Sequence, residues 1–346
     1  MAQAGKLNRR ESVNTVPRTA ILEQLLPPVV GGLLILVALI GLIGTAIKSP
    51  QPHDIPVGLA GPASAVQQIS SSFQTAAPGA LQFTTYASEQ EARSALDAQS
   101  VDGVLILGAG GPHLILAGAA GDAPTGVITA AFTNVFKAQG AALTVETVHP
   151  FAGGDAHGLV LFFVVVAALI SVLVSQALLL TTGKDLKLGS RLGVVVTLGV
   201  LAGLTGMGTA AWIVGGYGDG FWAAAGLVAL AATAVGAVVA GFARLLGGPG
   251  IGLAALIVVL LDLVSSGGPA GSQFLPDFYR WLAPWMPASE LYSAMRGALF
   301  FGGTAVTGPI AVLTGWLVAG LALMWIAELV TQSRVGKTAS APTIAQ

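Results

Sequence analysis

The sequence predicts an α-helical polytopic membrane protein: six transmembrane helices, with an external α/β domain inserted between helices 1 and 2. Three observations carry this fold class. Six apolar stretches, at 27–47, 158–182, 192–214, 221–243, 251–266 and 309–330, reach or approach the roughly 20 residues a helix needs to cross hydrocarbon. Hydrophobic residues make up 54% of the 346-residue chain and charged residues only 9%, too few ionisable groups to keep a soluble fold of this size solvated. The segment 48–157, between the first two stretches, is polar and alternates strand and helix patterns.

The first stretch reads as a retained anchor. Its apolar run exceeds the roughly 7–15 residues of a secretory signal, and Thr45-Ala46-Ile47 offers no Ala-x-Ala cleavage site. Ahead of it, Ile21, Leu22, Leu25 and Leu26 recur at helical spacing after Arg18. They predict either a short helix on the inner membrane face, cut off at Pro27-Pro28, or an early start of the first span. Residues 1–26 form the N-terminal segment in this division.

Within 48–157, strands are predicted at 56–59, 81–86, 103–107, 113–117 and 143–148, and helices at 63–75, 89–98 and 125–139. In the second helix Ala92, Ala95 and Leu96 share one face and Glu89, Arg93 and Asp97 another, so one side packs on the sheet. Gly108-Ala109-Gly110-Gly111-Pro112 reads as a hairpin loop rather than a phosphate cradle, because a strand follows it instead of a helix.

Residues 158–330 hold the other five spans and 331–346 the tail, which beyond Arg334 is small and polar and is predicted to be disordered. Placing both termini in the cytoplasm puts Lys6, Arg9, Arg10, Arg18, Lys184, Lys187, Arg191, Arg244, Arg334 and Lys337 inside, ten of the fifteen cations. The positive-inside rule chooses this topology in a cell membrane.

Catalytic chemistry is mostly eliminated. The chain has no cysteine, no His-Glu-x-x-His and no Gly-x-Ser-x-Gly, and His53, His113, His149 and His157 lack ligand spacing, so no metal site is predicted. Gly336-Lys337-Thr338 mimics the end of a phosphate-binding loop, but Thr331 stands where its first glycine belongs. Gly206-x-Gly208-x-x-Ala211 mimics a dinucleotide fingerprint inside a membrane span. Close helix contact explains it better, as it does Gly199-x-x-x-Gly203. A net charge of −1 gives no reason to propose nucleic acid as a partner.

Three features remain. Asp262 lies in the fifth span, where a carboxylate is costly unless it faces protein, water or a partner; the alternative is that it reaches the outer interface about one turn before Ser265-Ser266-Gly267-Gly268. Glu328, near the inner end of the last span, sits close to headgroups or pairs with a cation. The stretch from Leu275 to Pro287 holds three prolines and four aromatics, too broken for a full span. It predicts short helices that dip into the membrane from outside and return, with Trp281 and Trp285 among the headgroups.

These residues carry a resemblance. One span, an external α/β domain, five spans, and the pattern Leu275-Pro276-x-Phe278-x-Arg280-x-x-x-Pro284-Trp285-x-Pro287 followed by Ala294-Met295-Arg296 and Phe301-Gly302-Gly303 are similar to the YhgE/Pip-like branch of the ABC type-2 exporter permeases. The resemblance covers essentially the whole chain. It departs at Leu263-Val264, where similar chains place an Asn-Pro pair before the Ser-Ser-Gly-Gly run.

The resemblance implies a permease subunit that pairs with a second copy or a paralogue and binds a separate cytoplasmic ATPase subunit. ATP and Mg would sit on that partner, with no cofactor on this chain. It further implies that 269–303 is a re-entrant outer segment closing the path, with Asp262, Ser265, Ser266, Trp281, Pro284, Trp285, Pro287 and Arg296 along the path or gate. Lys184, Asp185, Lys187 and Arg191 fall where the family first contacts its ATPase.

The expected function is export of a lipid-like or amphipathic substrate, with membrane lipid as a further partner. The alternative is a non-transporting envelope scaffold or docking protein. A proton-coupled carrier using Asp262 is disfavoured because there is neither an inverted repeat nor a second central acid.

Overall fold

The computed structural model describes residues 18–183 and 186–339. The chain forms two compact units, residues 1–45 and 46–346. The first carries α1 (Arg18–Ile47), which winds unbroken through Pro27 and Pro28 instead of stopping there. Proline's fixed φ is itself helical, so the adjacent pair removes two hydrogen bonds without forcing a break. Among the described residues no separate short helix ends at the proline pair; the candidate span itself begins at Val29, within the continuous helix.

In the second unit a five-stranded mixed sheet comes first. Its strands are β1 (Ile55–Ala60), β2 (Leu81–Tyr86), β3 (Gly103–Gly108), β4 (Gly111–Ala117) and β5 (Thr144–Val148), in the spatial order β2-β1-β3-β4-β5. All neighbours pair in parallel except β3 and β4, which form a hairpin closed by Ala109 and Gly110.

The helices α2 (Ala63–Ala76) and α4 (Asp122–Ala138) cover one face of the sheet. Val66, Ile69 and Phe73 on one, and Ile128, Phe132 and Phe136 on the other, recur at helical spacing and pack on Val57, Leu59, Leu105 and Leu114. Burying a residue such as Phe132 contributes about 1.5–3 kcal/mol. On the opposite face α3 (Glu89–Asp97) buries Ala92 and Leu96, and its N-terminus is capped by Ser88, whose hydroxyl accepts from the Glu91 amide at 3.2 Å. Phe151 and Phe301 complete that second core, so a residue from the membrane part of the chain is built into the sheet's own packing.

Among the described residues six helices are long and apolar enough to span a membrane, and the protein is membrane-embedded. After α1 these are α5 (Leu159–Thr182), α6 (Leu188–Val214), α7 (Phe221–Leu246), a composite span over Gly248–Ser265, and α12 (Thr307–Ala339). α12 continues to Ala339, past the point where the composition predicts a disordered tail.

Small residues let the helices around α7 approach closely. A Cβ on Gly203 would strike the Ala225 carbonyl, one on Gly199 would strike Thr233, and one on Gly320 would lie 2.7 Å from the Ala237 methyl. This is the contact predicted from Gly199-x-x-x-Gly203. Gly206 likewise approaches Val164, whereas Gly208 faces open space and takes no part.

The composite span is α-helical in α8 (Gly248–Ala254), π-helical over Ala255–Leu261 and α-helical again in α9 (Asp262–Ser265). After it come two single turns, α10 (Asp277–Leu282), a third turn at Ala283–Trp285, and α11 (Pro287–Phe300). α11 lies between the bundle and the sheet domain, burying Ala288, Leu291, Ala294 and Met295 in the bundle core. Trp212, Trp222, Trp281 and Trp285 are exposed at the sheet-domain end of the bundle, as in an interfacial aromatic belt.

Candidate functional site

The predicted path residues converge at the junction of the composite span, α11 and the sheet domain. Asp262 is fully buried rather than at an interface. The π-helical turn that precedes it aims its carboxylate at the start of α11, where Oδ1 accepts from the Ala288 amide at 2.8 Å. The first amides of a helix have no partner within it, and Pro287 at the first position has no N–H to satisfy. Asp262 therefore caps α11 from another helix, with the added attraction of a carboxylate for a helix N-terminus. Its Oδ2 has no hydrogen-bond partner.

Ser265 and Ser266 do not extend this contact to a neighbour. The Ser265 hydroxyl donates back to the carbonyls of Leu261 (2.6 Å) and Asp262 (3.1 Å), and that of Ser266 to Leu263 (2.7 Å). Ser266 Oγ also accepts from the Gly268 amide at 3.1 Å, helping to turn the chain out of the span.

Two turns along α11, Arg296 faces the sheet domain. Its Nη1 donates to the carbonyls of Ala119 (3.2 Å) and Ala120 (2.8 Å), and its guanidinium lies 5.2 Å from the centre of the Tyr292 ring. The carbonyls belong to the turn Gly118–Ala120, so the cation sits where carbonyl dipoles gather. Asp102 lies near enough for Arg296 to favour its ionised form, yet burial dominates and pushes the carboxyl up to about 6. Asp102 Oδ2 and Arg296 Nε both lack hydrogen-bond partners.

Between these two ties lies a polar pocket of about 190 Å³, lined by Ser266, Ser272, Gln273, Glu290, Ser293 and Arg296 among others. Pro284 also lines it. Pro287 is buried at the head of α11, while Trp281 and Trp285 project outward. The Trp285 carbonyl accepts from the Trp316 indole at 2.8 Å, fixing this stretch to α12.

Further contacts hold the junction. The Gln99 amide donates to the Thr304 carbonyl (3.1 Å), and the Thr304 hydroxyl donates to the Asp97 carbonyl (2.8 Å). Arg280 pairs with Asp54 (3.1 Å) and Asp277 (2.8 Å). The His149 ring bridges the Phe300 carbonyl (2.9 Å) and the Asp97 carboxylate (2.7 Å) and stacks on Phe301. Asp54, Gln99, His149 and Ala305 have φ between +47° and +57°, and all four lie in this junction. Side chains with a Cβ take that conformation at a cost, and such residues gather where surrounding contacts over-determine the backbone.

Lys184 and Asp185 lie outside the described residues. Lys187 is exposed. Arg191 turns back on its own loop, donating to the carbonyls of Leu186 (3.0 Å) and Gly183 (2.6 Å). Glu328 pairs with Arg244 at 3.5 Å.

Sequence reasoning missed Asp102, Glu290, Gln99 and Thr304. None carries a motif; Asp102, Gln99 and Thr304 matter through residues distant in the chain, and Glu290 through the pocket it lines. No family model, curated protein or solved structure matches this chain.

Proposed function

We propose that the chain is the membrane subunit of an ABC-type exporter of the YhgE/Pip-like kind. It moves a lipid-like or amphipathic substrate outward while a separate ATPase subunit binds ATP and Mg and hydrolyses the nucleotide. In this reading the sheet domain lies outside and both termini inside, with Lys187, Arg191 and Arg244 at the cytoplasmic end as the positive-inside rule asks. The permease pairs with a second copy or a paralogue, and the 183–191 loop meets the ATPase.

One observation carries the reading. α11 is a short helix inserted into the bundle, with its first turn capped by Asp262 and its later turns tied by Arg296 to the sheet domain. α11 packs an apolar face on the bundle, but its first turn and its contact with the sheet domain are fixed by polar ties, and each of these is released by one rotamer change. Opening of α11 would pass through the Arg296 tie.

Arg296→Ala is expected to lower substrate-stimulated ATP turnover of the reconstituted complex about tenfold, at unchanged membrane yield. Because both hydrogen bonds leave one nitrogen, Arg296→Lys should restore part of that loss. Wild-type turnover and export in Arg296→Ala would remove the gating role.

A scaffold or docking role is the second reading. It is favoured by an open groove of about 620 Å³ on the sheet domain, along which Thr125, Thr129, Thr133 and Asn134 are aligned. Retained export after grafting large side chains into that groove would count against it.

A further inference from the structure

A second cavity is separate from the polar pocket. It is a groove of about 890 Å³ between the start of α7, the end of α11 and the start of α12. Ala223, Leu227 and Leu230 of α7, Leu299 of α11 and Ile310 of α12 make its walls apolar. At its mouth, in the turn Gly218–Gly220, stands Asp219, the one carboxylate on the lining; no cation lines the groove. Asp219 is exposed and forms no ion pair among the described residues.

We infer that this groove seats a single-chain amphiphilic cation, with the hydrocarbon chain between α7 and α12 and the cationic head beside Asp219. The volume falls in the range of about 300–1,000 Å³ usual for small-molecule sites. Two of the walls, α7 and α12, belong to membrane-spanning helices, and the mouth lies at the turn before α7, so an amphiphile in a bilayer would enter in the orientation it already holds. An unpaired carboxylate at the rim of an apolar slot favours a cationic head and repels a sulfate or phosphate monoester. As a substrate site this rests on the export reading. As a binding site it does not.

Position 226 supplies a clean way to block it. Gly226 lines the groove in the second turn of α7, and a Cβ there meets nothing within 4 Å. A larger side chain at that point fills the slot without disturbing a helix contact.

The test uses the full-length protein in nanodiscs of zwitterionic lipid. The probes are a photoactivatable dodecyltrimethylammonium and a dodecyl sulfate bearing the same photoactivatable group, compared at equal membrane-bound concentration. The cation should label peptides carrying Leu227, Leu230 and Ile310 about fivefold more than the sulfate, with the ratio falling as salt is raised. Asp219→Asn should bring the ratio to about one. Gly226→Phe should remove labelling by both probes, while Gly226→Ala, a folding control, keeps it.

Equal labelling of the wild type, a preference that survives Asp219→Asn, or labelling indifferent to Gly226→Phe would overturn the inference. Labelling as expected, with no amphiphile changing ATP turnover of the complex, would sink the export reading and leave the site. Turnover stimulated by amphiphiles that never label the groove would do the reverse.

Discussion

The contact of α6 with α7 and the junction around α11 are held by opposite means. Around α7, glycines and alanines bring backbones together over several turns, and the contact is spread over many weak attractions. Around α11 the contact gathers in a few side chains, Asp262, Arg296, Gln99 and Thr304, with Phe300 and Phe301 as apolar studs. A distributed contact tolerates no local opening, because parting it at one turn parts its neighbours. A contact made of few polar ties can be opened and remade, and it fails one residue at a time.

The largest effect should come from breaking the distributed side. Gly203→Leu drives a side chain into the α7 backbone at Ala225 and should cost about 3 kcal/mol or more. It is read as loss of the monodisperse peak and of cooperative melting in detergent. Gly208→Leu, one turn away in open space, should melt within a few degrees of wild type. Similar behaviour of the two variants would mean that the helix contact is not what holds the bundle.

On the other side, Asp262→Ala leaves the Ala288 amide buried and unpaired and should cost about 1–3 kcal/mol. Asp262→Asn keeps an acceptor oxygen and should lose less than about half as much. Thermal unfolding of the three proteins measures this order. If Asn and Ala are equally harmful, the negative charge matters rather than the cap.

The smallest effect is a pH dependence. Burial holds the Asp102 carboxyl at about 6, above the roughly 3.9 of an unfolded chain, so between these values the folded state binds more protons. Stability must then fall as pH rises through that window, and the deficit is complete above about pH 6. Asp102→Asn removes it, so the variant should melt about 2 °C or more above wild type near pH 8 and level with it near pH 4. A melting difference that does not change with pH would place the origin elsewhere.

Much of this comparison was legible in the sequence on one side only. Gly199 and Gly203 announce a close helix contact by local spacing, and the alternation of apolar residues places every strand and helix of the sheet domain within a few residues. Such signals repeat over neighbouring positions, so they survive without knowledge of the fold. The junction has no local signature. Asp262 finds its partner 26 residues onward and Arg296 finds the Ala120 carbonyl 176 residues back, and no periodicity encodes either.

The sequence did flag Asp262, because a charge in an apolar run is conspicuous wherever its partner lies, and it pointed to Arg296 only through the family resemblance. It could not flag Gln99 or Thr304, which are ordinary polar residues until the fold brings them together. The proline pair at 27–28 left a break and a continuous helix both open, and the helix is continuous: proline's missing hydrogen bond is local, and the helix around it is cooperative.

The π-helical turn at Ala255–Leu261 gives chain length a meaning of its own. Were the same seven residues to wind as plain α-helix, everything after them would turn by about 100° and Asp262 would leave Ala288. Deleting one of them takes up that turn, so the span could become plain α-helix with Asp262 still facing the head of α11. The seven residues are all apolar, so neither change would alter the character of the span. The address of that carboxylate is stored in the match between winding and residue count rather than in any one side chain.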